Sequence, residues 1–434
     1  MMSRVLLVNP WIEDFTAYDL WLRPLGLLHV GALLEAAGAD VTLLDCLARE
    51  VVGGPDRFHA TGRFPSVRIP KPAPLAGTRR HYYRFGMGDT DFSARLAALA
   101  EPDFVFLGSA MTYWYGGVFR AARRLRAAFP RARIVLGGVY AALCPEHAQR
   151  SGLFDDVVAA AEPAVAARAV AAITGLPVAV SDSLGPAYHL YGHPLRHAAV
   201  LTGWGCPFHC TYCATPSMFD GLQRKAPGAV LDELRQTVAV TGAGHVVFYD
   251  DALLADRERH FLPILEGIAR WRPPVRFHLP NAVHPRYIDR DTARLLRTAG
   301  FVTIRLGFEG MGEAARMRSS GKVDRGAAEA AVAALRAAGF TARELGAYLL
   351  FGLPGLDPTE LESDIRYVHR LGIKIQLASF SPIPGTPDFE RARVLDPAIG
   401  DEPLRHNKTL TMLRAGERYR SLQLLALSLN ARLA

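Results

Sequence analysis

The sequence predicts an α/β chain in two parts: a Rossmann-like, doubly wound parallel sheet, then a partial TIM-like (β/α)6 barrel. Three observations predict it. Short apolar runs alternate with helical stretches between residues 4 and 161, the spacing of βαβ units. From Ala198 onward a strand–helix unit recurs six times, fewer than the eight of a closed barrel. Both series of strands stop at polar or glycine-rich residues, where such folds place their ligands.

In the first part, residues 4–10 (R-V-L-L-V-N-P) form a short apolar run ending in a turn, which reads as a buried strand. Residues 24–38 read as a helix stopped by Gly38, and 40–45 as the second strand. Residues 50–88 are rich in Gly, Pro and Arg without periodicity, a long excursion of the kind that is more often functional than idle. A helix at 93–100, a strand at 104–108, a helix at 117–129 and strands at 134–138 and 157–161 complete the pattern. The strand ends carry Asn9-Pro10, Ser109-Ala110-Met111-Thr112 and Gly137-Gly138-Val139-Tyr140. Two successive glycines let backbone approach a flat or phosphate-bearing ligand. We expect this domain to span 1–185 and a linker to cover 186–197.

The second part, expected at 198–400, has strands at 199–202, 246–249, 275–279, 303–307, 346–351 and 375–380. Helices fall between them near 227–240, 257–271, 289–298, 324–338 and 358–371. The strand ends give, in turn, a cysteine loop, Asp250-Asp251, Pro280-Asn281, Gly307-Phe308-Glu309, G-L-P-G at 352–355 and S-P-I-P-G-T-P at 381–387. Either aspartate of the Asp250-Asp251 pair could cap the following helix or hold a cation. Side-chain alternation turns Arg305 into the barrel, within reach of Glu309. The C-terminal segment from 401 is expected to be helical, with 405–434 an amphipathic helix closing the barrel floor.

The cysteine loop, G-W-G-C-P-F-H-C-T-Y-C-A-T-P at 203–216, carries the chemistry. Cys206, Cys210 and Cys213 form a C-x3-C-x2-C array in a stretch bounded by glycine and proline. An iron–sulfur cluster normally takes four cysteines; three here leave one iron free for a ligand that is not protein. Zinc held by these three with His209 is the rival, but His209 and Cys210 are adjacent, and neighbours seldom face one ion. A disulfide would need an oxidising compartment that nothing else suggests. Cys46 and Cys144 read as small buried hydrophobes.

Five cysteines, three of them in one loop, suit a reducing cytoplasm. No run is long and apolar enough for a membrane helix, and the N-terminus has no signal-peptide layout. The net charge of +8 invites nucleic acid as a partner, but the arginines are scattered over helix faces rather than gathered, so none is expected.

The cysteine array, with Tyr212 ahead of its last member, resembles the signature of the radical S-adenosylmethionine (SAM) enzymes. The resemblance implies a [4Fe–4S] cluster on Cys206, Cys210 and Cys213, whose free iron chelates SAM. On that resemblance Asp250 or Asp251 matches the acidic element that holds SAM's ammonium, and Asn281 and Glu309 match polar positions of the pocket. Gly352 and Pro354 match the strip along adenine, with Arg305 alongside. Residues 1–185 resemble the cobalamin-binding domain of one class of these enzymes, on L-V-N-P at 7–10, R-P-L-G-L-L at 23–28 and L-G-G-V-Y-A-A-L-C-P-E-H-A at 136–148. The implied cobalamin contacts are Pro10, Ser109, Met111, Thr112, Tyr113, Gly137, Gly138 and Tyr140, and Trp114 and Tyr115 could pack on the corrin. No D-x-H-x-x-G is present to ligate cobalt from below, so the 50–88 stretch is where that residue is expected.

The class implies a methyltransferase that alkylates unactivated carbon through a 5′-deoxyadenosyl radical, fed by an external one-electron donor and acting on a small molecule or peptide. A radical SAM cyclase, rearrangement or oxidative enzyme is the alternative within the family. A non-catalytic iron–sulfur or zinc module is the alternative outside it.

Overall fold

The computed structural model describes residues 2–181, 184–321 and 323–433; the outermost residues of the spans expected at 1–185 and 401–434, and residues 182, 183 and 322, lie outside that description. The chain divides into two compact units. The first holds residues 1–198, 235–243 and 398–406; the second holds 199–234, 244–397 and 407–434.

The first unit is built on five strands: β1 (Arg4–Asn9), β2 (Asp40–Asp45), β3 (Phe104–Leu107), β4 (Arg133–Leu136) and β5 (Asp156–Val157). They lie in the order β5-β4-β3-β1-β2, each paired parallel to its neighbour. The alternation of side chains explains why both faces are covered. Leu6 and Val8 of β1 join Val105, Leu107, Ile134 and Leu136 in one core, beneath the helices Asp89–Ala97 and Tyr115–Ala128. Val5 and Leu7 join Phe106 and Val135 in the other, beneath Leu25–Ala36 and Pro163–Thr174. Cys46 is fully buried in the first of these cores and Cys144 packs against it.

The 50–88 excursion is more ordered than its composition suggests. Tyr82–Phe85 pairs with Ile12–Asp14 on one side and Ser66–Ile69 on the other, in a three-stranded antiparallel sheet. Tyr82 Oη donates to the Glu13 carbonyl at 2.7 Å, and Trp11 Nε1 to that of Met87 at 2.7 Å. These strands are three or four residues long, and the central one pairs with a segment some seventy positions away, so no local periodicity announces them. Residues 186–197 are not a linker. They pack within the first unit, where the Ala187 amide donates to the Leu28 carbonyl and Tyr191 Oη to Asp45 at 2.6 Å. A phenol placed on a buried carboxylate is a fixed contact, not a hinge.

The second unit carries six strands: β6 (Ala198–Val200), β7 (His245–Phe248), β8 (Arg276–Val283), β9 (Phe301–Glu309), β10 (Leu345–Phe351) and β11 (Lys374–Ser379). They follow chain order across the sheet, and β7 through β11 pair in parallel. This is the six-stranded partial barrel. Helices Pro227–Thr241, Phe261–Trp271, Arg290–Thr298, Arg325–Ala337 and Pro358–Arg370 alternate with the strands.

The last helix, Lys408–Asn430, does not close the floor. Its start lies by the top of β10, since a Cβ on Gly352 would come within 2.3 Å of Thr411 Cγ2. Its last residue lies at the bottom of β11, where Asn430 Oδ1 accepts from the Ile375 amide at 2.8 Å and Nδ2 donates to the Ile375 carbonyl at 2.9 Å. The helix therefore runs down the open edge of the sheet. Gly416 (φ 54°) interrupts its regular geometry.

Candidate functional site

The cysteine loop grows from the end of β6. Gly203–Trp204 pairs antiparallel with Gln223–Arg224, so residues 205–222 are the loop of a hairpin. Its throat is too narrow for side chains. A Cβ on Gly203 would lie 2.3 Å from the Gln223 carbonyl oxygen, and one on Gly205 (φ 79°) 1.8 Å from that of Gly221. Glycine is therefore required at both positions.

Cys206, Cys210 and Cys213 line one cleft of about 660 Å³, open to solvent, together with Asp251 and Asn281. Cys210 is buried, and Cys206 and Cys213 are half-buried. Cys213 Sγ donates to Thr215 Oγ1 at 3.3 Å. His209 is exposed. Among the described residues no three His, Cys, Asp or Glu side chains are set to hold one ion, which is not the arrangement of a structural zinc site. An iron–sulfur cluster asks less convergence, because each cysteine binds a different iron. Three soft donors around one open cleft fit such a group.

The Asp250-Asp251 pair is divided in its surroundings. Asp250 is buried and accepts from the Thr202 amide at 3.1 Å, from Thr202 Oγ1 at 2.6 Å and from Arg224 at 3.4 Å. Burial raises its pKa against the pull of those partners. Asp251 is exposed on the cleft wall. Asn281 also lines the cleft and donates to the Tyr249 carbonyl at 2.8 Å, which joins the tops of β7 and β8.

Arg305 does not reach Glu309. Its guanidinium donates to the carbonyls of Ile304 and Glu344, at 3.2 and 2.8 Å, below the start of β10. The Glu344 carbonyl also accepts from the Ile304 amide at 2.9 Å, so the guanidinium shares an acceptor at the foot of β10. Glu309 stands at φ 60°, where the β9–β10 register shifts. A non-glycine residue held there is strained, a feature that clusters at working sites. Gly352 and Pro354 do not border the cysteine cleft; the Pro354 carbonyl accepts from Arg318 at 2.7 Å. Sequence reasoning missed Phe208, His284 and Tyr287, which wall the cleft with ring centroids 5.0 Å apart (Phe208–His284) and 5.2 Å apart (His284–Tyr287). The signal for His284 and Tyr287 was the length of β8, which runs on to Val283 rather than stopping at 279, while Phe208 stands in the cysteine loop itself.

A second groove lies in the first unit at the carboxyl ends of β1 and β3, the switch point where strand order reverses. Pro10 and Ser109 line it, with Trp11, Ile12, Leu22, Arg23, Leu47 and Trp114. Met111 is exposed, whereas Tyr113 is buried. Thr112 is buried with its hydroxyl 3.0 Å from His406 Nδ1. Tyr140 is fully buried and bonds His147 Nδ1 at 2.6 Å, so it does not face the groove. Trp114 is held by Asp14 at 2.8 Å, and Tyr115 donates instead to Glu402 at 2.9 Å.

The two glycines differ. A Cβ on Gly138 (φ 92°) would lie 2.3 Å from the Ser109 carbonyl oxygen, so its missing side chain serves a backbone contact within the protein. At Gly137 the space is open. Gly137 is not among the residues lining the groove, whose apolar wall of Pro10, Trp11, Ile12, Leu22 and Trp114 fits the edge of a large flat ring. Arg23, unmarked as a site residue, is a buried part of the groove wall and grips Glu50 at 2.6 Å. Burial alone would raise the Glu50 pKa, but the Arg23 hydrogen bond and charge hold it down to about 2.

With this geometry in place, comparison with known proteins is decisive for the second unit: residues 200–368 match the radical SAM superfamily. They form a radical SAM domain. Its chemistry implies a [4Fe–4S] cluster and SAM. The chain is 26% identical over 204 residues to the bacteriochlorophyllide d C-12(1)-methyltransferase of Chlorobaculum tepidum, which covers 45% of this chain and 42% of that protein. It is 29% identical over 106 residues to the anaerobic magnesium-protoporphyrin IX monomethyl ester cyclase of Cereibacter sphaeroides, covering 24% of this chain and 17% of that one. The chain thus spans less than half the length of either relative.

Among solved structures, the radical SAM methyltransferase TsrM of Kitasatospora setae, with cobalamin and a [4Fe–4S] cluster bound, superposes with a TM-score of 0.64 at 17% identity. That match covers 89% of this chain and 74% of TsrM. The cobalamin-dependent radical SAM enzyme OxsB gives 0.58 at 13% identity, over 92% of this chain and 56% of OxsB. The radical SAM domain and its Rossmann-like companion therefore share the fold of these two-part enzymes. Among the described residues no helix is long and apolar enough to cross a membrane.

Proposed function

We propose that the chain is a cobalamin-dependent radical SAM methyltransferase acting at an unactivated carbon. The observation that carries the proposal is the shared cleft: three cysteines of one hairpin loop and the exposed carboxylate of Asp251 line the same cavity at the carboxyl end of a parallel sheet. When bound, a cluster on these cysteines would supply the electron that splits SAM's sulfonium, and cobalamin would supply a methyl carrier. The hard chemistry belongs to these groups, while the chain orients them and excludes water.

In this reading Cys206, Cys210 and Cys213 hold the cluster. Asp251 receives SAM's ammonium, a charge-assisted contact of the stronger kind. Asn281 fixes the strand tops beneath it, and Glu309, Gly352 and Pro354 remain candidates for the nucleoside end. In the first unit Pro10, Ser109, Trp114 and Gly137 are the candidates for cobalamin. Reduction of the cluster calls for a one-electron donor external to the chain. The reaction belongs in a reducing, oxygen-poor cytoplasm.

The test is anaerobic reconstitution with iron, sulfide and cobalamin, followed by dithionite, a candidate substrate and SAM labelled in its methyl group. Labelled methyl in the substrate, with 5′-deoxyadenosine released, is the expected result. Deoxyadenosine without methyl transfer would favour a cyclase or rearrangement. A visible spectrum without cobalamin bands, after supply of the cofactor, would sink the first-unit assignment.

A further inference from the structure

Arg224 returns from the cysteine hairpin and lies across the wall that carries Asp251. One guanidinium nitrogen donates to the carbonyl of Ala252, to that of Leu253 at 3.2 Å and to that of Ala255 at 3.1 Å. The other is 3.4 Å from Asp250 Oδ1. Residues 251–255 all line the cleft. The arginine side chain is mostly buried, and its Nε has no hydrogen-bond partner.

A guanidinium withdrawn from water is destabilising unless it is compensated. Here the compensation comes from three carbonyl oxygens and one carboxylate. Only a planar fork with fixed donors reaches all of them, a geometry that lysine cannot reproduce. Asp250 is set behind the fork by Thr202, whose hydroxyl donates to it and so accepts from His260 Nε2 at 2.8 Å. His260 is buried and neutral, its pKa pushed down to about 4 by burial and then by the charge of Arg224. The chain His260–Thr202–Asp250–Arg224 thus joins the end of β6, the top of β7 and the hairpin's return strand.

We infer that Arg224 is a positioning residue for SAM, shaping the 251–255 turn so that the Asp251 carboxylate faces the cluster loop, with Asp250 as its counter-ion rather than a ligand. The inference rests on the proposed SAM site. Stiffening of this kind raises affinity by removing the cost of ordering the loop on binding.

The test compares Arg224→Gln, Arg224→Lys and Asp251→Asn with wild type as full-length, anaerobically reconstituted protein. Iron and sulfide content, melting temperature, equilibrium binding of SAM, and the KM and kcat of reductive SAM cleavage are measured for each. Arg224→Gln is expected to keep its cluster and weaken SAM binding about tenfold, with the loss in KM rather than kcat; tenfold is about 1.4 kcal/mol. Arg224→Lys should recover part of it. Unchanged SAM affinity in Arg224→Gln overturns the inference, as does a loss of SAM binding that only tracks loss of iron. Wild type that fails to bind SAM overturns the functional reading and this inference together. Asp251→Asn that binds SAM normally, beside a weakened Arg224→Gln, removes Asp251 as the ligand and leaves Arg224 as the organiser of the turn.

Discussion

Thr211 and Asp388 hold each other twice. The Asp388 amide donates to the Thr211 carbonyl at 2.9 Å, and the Thr211 hydroxyl donates back to the Asp388 carboxylate. Thr211 sits between Cys210 and Cys213, while Asp388 lies beyond β11, 177 residues later. The same carboxylate is fully buried and receives Arg318 and Arg391, both at 2.9 Å.

Asp388→Ala is therefore predicted to do more than remove a hydrogen bond. It strands the Arg318 guanidinium, and breaking such a buried pair costs about 3–5 kcal/mol. Thr211→Val removes only the hydroxyl contact, worth about 1–3 kcal/mol to a charged acceptor. The expected outcome is a graded loss of iron per chain after reconstitution, severe in the first variant and slight in the second. Full iron loading in Asp388→Ala would show that the loop is shaped without this clamp.

Glycine substitutions should separate folding from cofactor binding. At Gly205 an added methyl group meets a carbonyl oxygen at 1.8 Å and the backbone is left-handed, so Gly205→Ala should collapse the hairpin and abolish cluster assembly. Gly137→Ala has open space and should fold with an unchanged melting temperature. If the first-unit groove takes cobalamin, the same variant should retain less of it, read from the visible spectrum after desalting.

Acid should weaken the fold through two histidines. His260 and His406 are both buried, and burial holds their pKa values down to about 4, from an ordinary 6.5. The unfolded chain takes up these protons near 6.5 and the folded chain only near 4. Stability is therefore complete above 6.5 and falls as pH drops through that window, by on the order of 2–3 kcal/mol per histidine. His406 spends both ring nitrogens, one toward Thr112 and one toward the Ile399 carbonyl, each 3.0 Å away. Urea midpoints between pH 7 and 4 should fall less steeply in His406→Gln than in wild type; parallel slopes would refute the assignment.

Asp250 and Asp251 should part company on mutation. Asp250→Asn weakens the acceptor for Thr202 and Arg224 and should lower the melting temperature. Asp251→Asn should leave it unchanged and reduce SAM binding. The reverse pattern would mean that the buried carboxylate is the one that meets the ligand.

Most of the architecture was legible in the sequence because it rests on local periodicity. Each barrel strand was placed to within a few residues, and the cysteine loop was recognised from spacing alone. What escaped is what spacing cannot encode. Nothing near Thr112 announces His406, 294 residues later, and nothing near Asp250 announces Arg224. Alternation pointed Arg305 into the barrel correctly enough, but a long side chain chooses among distant acceptors, and the carbonyls of Ile304 and Glu344 took it. Residues 235–243 and 398–406 belong to the first unit by contacts remote in sequence, so no composition shift marks them.

The carboxamide of Asn430 imitates a seventh strand, offering β11 one acceptor and one donor at a single residue. A flat sheet margin left bare recruits other chains. Clipping the final helical turn would therefore strip a guard against self-association, and stickiness under storage would be its symptom before any loss of catalysis.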